Sequence, residues 1–200
     1  MDAALWNNRF AAPQYVYGEA PNAFVAEMAA HIPAGPVLCL AEGEGRNAVH
    51  LATLGHPTTA VDQSAAGLVK AWRLAAARGV EIETVCADLG NFNIKAEAWA
   101  GIIATFAHLP PVIRRQVHAQ AVRGLRQGGM FVLEAYTPAQ LAFATGGPKA
   151  PELLMTLAGL REELAGLEFV IGREIERDVI EGAGHTGRGA VVQILARRNE

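Results

Sequence analysis

The chain has 200 residues, 51% of them apolar and 18% charged, which excludes a disordered chain and is enough to bury a sizeable core. A formal net charge of −3 gives no electrostatic case for a nucleic-acid or membrane-surface partner. No apolar run reaches the roughly eighteen residues of a membrane span.

Residues 1–20 read as aromatic and irregular, with Trp6, Arg9, Phe10, Tyr15 and Tyr17 ahead of Gly18. No basic stretch or apolar core of a leader stands there, so a cytoplasmic location is expected. Pro21-Asn22 opens an amphipathic helix with Phe24, Val25, Met28, Ala29 and Ile32 on one face, stopped by Pro33 and Gly35. A buried strand over 36–41 follows, then Gly43 and Gly45, then a helix to about Leu54 whose apolar residues recur at helical spacing. Strand two is expected at 58–62, ending in Asp62. The next helix spans 65–78, with Leu68, Val69, Trp72 and Ala76 inward. Strand three, Ile82 to Ala87, stops at Asp88, and strand four, Gly101 to Phe106, leads to His108 and Pro110-Pro111. A helix over 112–124, with Val112, Val117, Ala121 and Val122 on its apolar side, precedes strand five, Met130 to Ala135.

Strands alternating with helices through short loops predict an α/β fold with a doubly wound parallel sheet. After residue 136 the pattern changes. A loop with Gly146-Gly147-Pro148 leads to a helix near 151–165. Two alternating segments, 168–180 and 188–197, are then bridged by Glu181 to Gly187 and read as an antiparallel hairpin. With no linker or repeat, one domain over 1–200 is expected, residues 1–20 being suited to a lid.

Cys39 and Cys86 lie in runs that read as adjacent strands, and both are expected to be free and buried. The pairs Arg114-Arg115 and Arg197-Arg198 read as solvated surface. His50 and His56 are too far apart for one helix face, so no metal is expected.

Strand, glycine turn and helix is how an open α/β sheet presents backbone N–H groups to a nucleotide-like ligand, and an acid at the tip of the neighbouring strand accepts ribose hydroxyls. Gly43-x-Gly45-x-x-Ala48 with Asp62 also matches a dinucleotide fingerprint, which keeps a NAD(P)-linked oxidoreductase open. Against it, none of Lys70, Lys95 and Lys149 follows a tyrosine at Tyr-x-x-x-Lys spacing, and there is no second domain. A third class, a non-catalytic cofactor-binding module, stays open as well.

Over nearly its full length the chain resembles the class I S-adenosylmethionine-dependent methyltransferases. The resemblance implies a seven-stranded Rossmann-like sheet with a reversed last strand, S-adenosylmethionine as cofactor, and a small-molecule acceptor. It places cofactor binding on Ala41, Glu42, Gly43, Glu44, Gly45, Arg46 and Asn47, on Asp62 with Gln63 and Ser64, on Asp88 with Leu89, and on Phe106. The Gly45-Arg46-Asn47 triplet, with Trp6 and Arg9-Phe10 upstream, is most similar to the tellurite-resistance methyltransferase branch. That implies a thiol, a chalcogen oxyanion or another small metabolite as acceptor. The family carries an acid in strand one where this chain has Cys39, so Glu42, Glu44 or backbone carbonyls are left to hold the cofactor's amine.

Holding a nucleophile behind the methyl carbon supplies most of the rate of an in-line displacement. His108, at the carboxyl end of strand four, either orients or deprotonates the substrate or caps the turn before Pro110. Arg9, Tyr17, Glu134 and Tyr136 are candidate substrate contacts, Glu134 because an acid in an apolar strand is costly to bury unpaired. The aromatics near the N-terminus suit a lid over a sulfonium. His185 reads as a solvated turn residue.

Overall fold

The structure, a computed structural model, describes residues 3–143 and 145–199. Seven strands form one sheet in the order β3-β2-β1-β4-β5-β7-β6. They are Val37–Leu40 (β1), Thr58–Asp62 (β2), Glu83–Cys86 (β3), Trp99–Thr105 (β4), Leu125–Tyr136 (β5), Leu167–Glu181 (β6) and His185–Arg198 (β7). β1 to β5 pair in parallel, and only β7 runs against its neighbours. This is the seven-stranded Rossmann-like arrangement with an antiparallel C-terminal hairpin. The strand order reverses beside β1, which has β2 on one side and β4 on the other, so a crevice opens at their carboxyl ends.

The helices are Ala3–Phe10 (α1), Ala23–Met28 (α2), Arg46–Thr53 (α3), Ala65–Ala77 (α4), Pro111–Gly124 (α5) and Leu157–Glu163 (α6). Because helices cover both faces, β1 and β2 are buried at every position rather than alternately. On β1, Val37 and Cys39 pack with Phe24, Met28, Ala48 and Leu51, while Leu38 and Leu40 pack with Val117, Ala121 and Leu160. Three helices start on side-chain caps: Asn22, Ser64 and Thr156 accept the N–H of Val25, Gly67 and Gly159. No helix among the described residues is long and apolar enough to cross a membrane.

Several expectations need correction. The first residues are not irregular: Ala3–Phe10 is helical. On α4, Val69 and Trp72 face solvent at 49% and 62% exposure, and the buried stripe is Gly67, Leu68, Lys70, Ala71, Leu74 and Ala75. Apolar periodicity fits either register. Lys70 joins the buried set because α1 and the segment after it cover that side. On α5, Val112 is 73% exposed and Arg114 is buried, where it and His118 meet Glu163 of α6. Burial raises the Glu163 carboxyl, yet those bonds prevail and hold it near about 2. Cys39 and Cys86 are not on adjacent strands, since β2 lies between, and Cys86 is exposed on the edge strand β3. The 151–165 helix is a short 3-10 turn, Pro151–Leu153, followed by α6.

Candidate functional site

β1 ends in a turn whose backbone runs through the left-handed region at Ala41 (φ +50°), Gly43 (φ +60°) and Gly45 (φ +90°). An alanine in that region carries strain that a glycine would not, the kind of cost that collects at functional sites. Gly45 also has no space for a side chain, because a Cβ there would lie 2.6 Å from Ala71 Cα. Asp62 closes the turn from β2: one carboxylate oxygen accepts the Gly43 N–H at 2.9 Å, the other the Ser64 N–H at 2.7 Å. Burial pushes its carboxyl up despite those bonds.

Glu42 lies at the start of α3, where one oxygen accepts the N–H groups of Asn47 and Ala48, each at 2.8 Å. That satisfies two of the orphan donors at a helix start. Burial wins over those bonds and raises its carboxyl to about 7. Cys39 points away from the turn into the core, and burial raises its thiol.

Glu44 is committed elsewhere. It pairs with the buried Lys70 ammonium and accepts the N–H groups of Val16 (2.8 Å) and Tyr17 (3.3 Å). Lys70 donates to the carbonyls of Ala12 (2.9 Å) and Gln14 (2.6 Å) as well. Residues 12–18 therefore form a strap tied across the glycine turn, and Phe10 rests on Gly43. The far end of the strap docks on the β6–β7 turn. Gly184 N–H donates to Val16 O at 3.0 Å, and a Cβ on Gly182 would come within 2.4 Å of Val16 O.

Under the strap, rings from four segments meet. His185 lies 4.6 Å from Tyr17, 4.5 Å from Phe106 and 5.4 Å from Tyr136, centroid to centroid. Tyr136 stacks on His108 at 5.7 Å. Phe106 adopts φ +51°, a strained backbone for a bulky residue, at the carboxyl end of β4. Burial keeps both histidines neutral, lowering each to about 4. His108 Nδ1 lies 2.9 Å from Leu153 O, so that nitrogen carries the proton and the ring is anchored. Burial also raises the Tyr136 phenol, which stays protonated.

Glu134 is wholly buried and saturated: Asn22 at 2.9 Å, Arg177 and Gln193 all donate to it. Arg177 bridges it to Glu181 at 2.7 Å, and Glu181 pairs with Arg46 at 2.6 Å. Among the described residues, Arg46 Nη1, Tyr136 Oη and His185 Nδ1 beside this network are buried without a hydrogen-bond partner. Buried groups of this kind are rare, and a ligand or an ordered water is what completes their pairing.

Of the residues expected at the site, Ala41 to Asn47, Asp62 to Ser64 and Phe106 surround the crevice. Asp88 sits beyond the edge strand, its carboxyl held low by the Gly90 N–H at 2.7 Å. Leu89 packs into the core. Arg9 donates to the Tyr17 hydroxyl at 3.0 Å, so α1 reaches the ring cluster. Sequence reasoning missed Asn22, Lys70, Arg177, Glu181 and the burial of His185. A lysine in the apolar pattern of α4 was a signal for one of them, whereas Arg177 lies in a strand of alternating charges that does not single it out.

Residues 37–129 match a family model described as a methyltransferase domain. No curated protein matches the sequence. Among solved structures, one described by the conversion of a disulfide bond into a thioacetal group during echinomycin biosynthesis is similar at TM-score 0.76 and 20% identity, over 98% of this chain and 92% of that one. TehB from Haemophilus influenzae is similar at 0.72 and 21%, over 88% of this chain and 61% of its own. The N-methyltransferase NodS from Bradyrhizobium japonicum, solved with S-adenosyl-L-homocysteine, is similar at 0.71 and 15%, over 99% and 98%. At these identities the likeness is one of fold.

Proposed function

We propose that the methyltransferase domain of this chain, whose cofactor is S-adenosylmethionine, methylates a small-molecule nucleophile held between the glycine turn and the ring cluster of Tyr17, Phe106, Tyr136 and His185. The observation that carries this reading is the position of that cluster, with its unpartnered polar atoms, at the carboxyl ends of β4 and β5 beside the turn of β1. In open α/β sheets ligands bind there.

The residues present fit the cofactor. Arg46 Nη1 is buried, cationic and unpartnered at the first turn of α3, which suits the carboxylate of an amino-acid moiety. The Asp62 carboxylate suits a ribose. Glu44 is spent on Lys70 and the strap, which leaves Glu42 and the turn's carbonyls for the amine. The cofactor supplies a sulfonium-bound methyl group, open to in-line attack. Around it, the strap and Phe10 exclude water, and Phe106 and Tyr17 present apolar faces to a cationic sulfur.

Glu134 supports the site from behind, since its acceptor positions are all filled. His108, anchored on Leu153 O, fixes Tyr136 by stacking. Residues 3–20 act as the lid of one domain. One structural neighbour is described by the conversion of a disulfide bond into a thioacetal group, and the Gly45-Arg46-Asn47 triplet is similar to the tellurite-resistance branch. Both favour a soft nucleophile, a thiol or chalcogen oxyanion, over a macromolecule.

The test is calorimetric titration with S-adenosylhomocysteine beside NADH, repeated on Asp62→Ala. Micromolar binding of S-adenosylhomocysteine alone, weakened in the variant, is expected. Binding of NADH instead would overturn the reading.

A further inference from the structure

Lys70 is a buried cation whose polar partners belong to the strap or to the residue that holds it. Its ammonium pairs with Glu44 and donates to Ala12 O at 2.9 Å and Gln14 O at 2.6 Å, which uses its three N–H bonds. It also lies 4.9 Å from the centre of the Tyr15 ring, and the Tyr15 hydroxyl donates to the Lys70 carbonyl at 3.0 Å. Glu44 extends the hold through the N–H groups of Val16 and Tyr17. The two side chains are 7% and 2% exposed. An aliphatic residue would fill the buried stripe of α4 as well, and a buried ion pair is weak evidence of stability. What this pair adds is the position of residues 12–17.

The strap has little else to hold it. Residues 11–14 are exposed and 15–18 half-buried, so lifting them uncovers few apolar contacts. The far end rests on the bond from Gly184 N–H to Val16 O. Segments of this kind open at a cost well below that of global unfolding. α1 is pinned separately: Asn7 Oδ1 accepts from Ser64 Oγ at 2.8 Å and from Ala66 N at 3.2 Å, so the part free to move begins near Phe10. Beneath this cover, Glu42, Arg46 and Asn47 are less than 9% exposed. These are groups suited to the amino-acid end of the cofactor, and they are sealed while the strap is down.

Resting on the methyl-transfer reading above, we propose that Lys70, through Glu44 and the carbonyls of Ala12 and Gln14, latches residues 12–18 over the amino-acid end of the cofactor. Release of this latch sets the rate at which the cofactor enters and leaves. With every donor committed, the ammonium has none left for the cofactor, so Lys70 acts on passage and not on methyl transfer. The latch has the same partners whether or not cofactor lies beneath it. Loosening it therefore speeds both directions and cancels from the equilibrium.

The test is rapid mixing with S-adenosylhomocysteine, followed by the fluorescence of Trp6, which stacks on Phe10 at 5.5 Å. In wild type the binding rate should level off with ligand concentration, at the rate at which the Val16 and Gly184 amides open to hydrogen exchange. Lys70→Met combined with Glu44→Gln strands no charge, and glutamine keeps an oxygen for the Val16 and Tyr17 N–H groups. This double variant should raise the plateau about tenfold or more, the factor carried by one lost hydrogen bond to a charged group. Dissociation and exchange of the two amides should quicken by the same factor, with Kd nearly unchanged. A wild-type rate that climbs linearly past the amide opening rate would overturn the proposal, and that comparison needs no variant. So would a double variant with the wild-type plateau, or one in which dissociation alone quickens and Kd weakens, the mark of direct contact with the cofactor. Failure of wild type to bind S-adenosylhomocysteine would sink the underlying methyl-transfer reading instead.

Discussion

Glu42→Gln should change the pH dependence of stability in a way that isolates one carboxyl. In the folded chain this group titrates near about 7 rather than at its ordinary 4.5, chiefly because burial penalises its charge. A carboxyl raised on folding contributes its full stability below its unfolded value and loses it as pH rises through the folded one. The window is therefore pH 4.5 to 7. The difference of 2.5 units, at about 1.36 kcal/mol each, amounts to about 3 kcal/mol. Glutamine keeps an oxygen for the Asn47 and Ala48 N–H groups but cannot ionise. Urea denaturation of both proteins from pH 4.5 to 8 gives the stability difference directly. Glu42→Gln should gain on wild type by about 3 kcal/mol across that range. His108 and His185, lowered from 6.5 to about 4, destabilise both proteins alike as pH falls through 6.5, so their contribution cancels in the difference. A difference that stays flat across the range would show that Glu42 ionises normally and that its burial costs nothing.

Two further substitutions test the geometry. Gly45→Ala places a methyl 2.6 Å from Ala71 Cα at φ +90°, so thermal unfolding should show a loss of about 3 kcal/mol or more, or no soluble protein. A variant melting like wild type would mean that α3 and α4 are not packed this closely. Arg177→Met leaves the wholly buried Glu134 without its counter-charge, which typically costs about 3–5 kcal/mol. A cost under about 1 kcal/mol in chemical denaturation would place Glu134 in contact with water.

The sheet was legible because its central strands are short, apolar and punctuated by glycine and proline. The glycine turn and Asp62 were legible because turn chemistry and strand-end position are local. Which face of α4 is buried was not. Val69 and Trp72 satisfy a helical stripe as well as Leu74 and Ala75 do, and only the strap, folded back from far away, decides between them. The same long-range packing hid His185. A histidine in a glycine-rich turn reads as solvated until residues 16–18 close over it. Glu134 was singled out for the right physical reason, the cost of burying an acid, but its partners Asn22, Arg177 and Gln193 come from three distant segments. Ala41 was unremarkable in sequence, and only its backbone angle shows that a glycine position is filled by alanine.

The docking of Val16 and Tyr17 on Gly182 and Gly184 joins segments about 165 positions apart in the chain. During synthesis, the glycine turn and Asp62 can assemble long before the hairpin leaves the ribosome, so a nascent chain can hold the parts of a cofactor site with no wall on its other side. The chamber that surrounds His185 closes only when the last strand arrives and the beginning of the chain finds it. Contacts of such separation are slow to form. Full shielding of the site from water thus waits on the meeting of residues 16–18 with the β6–β7 turn.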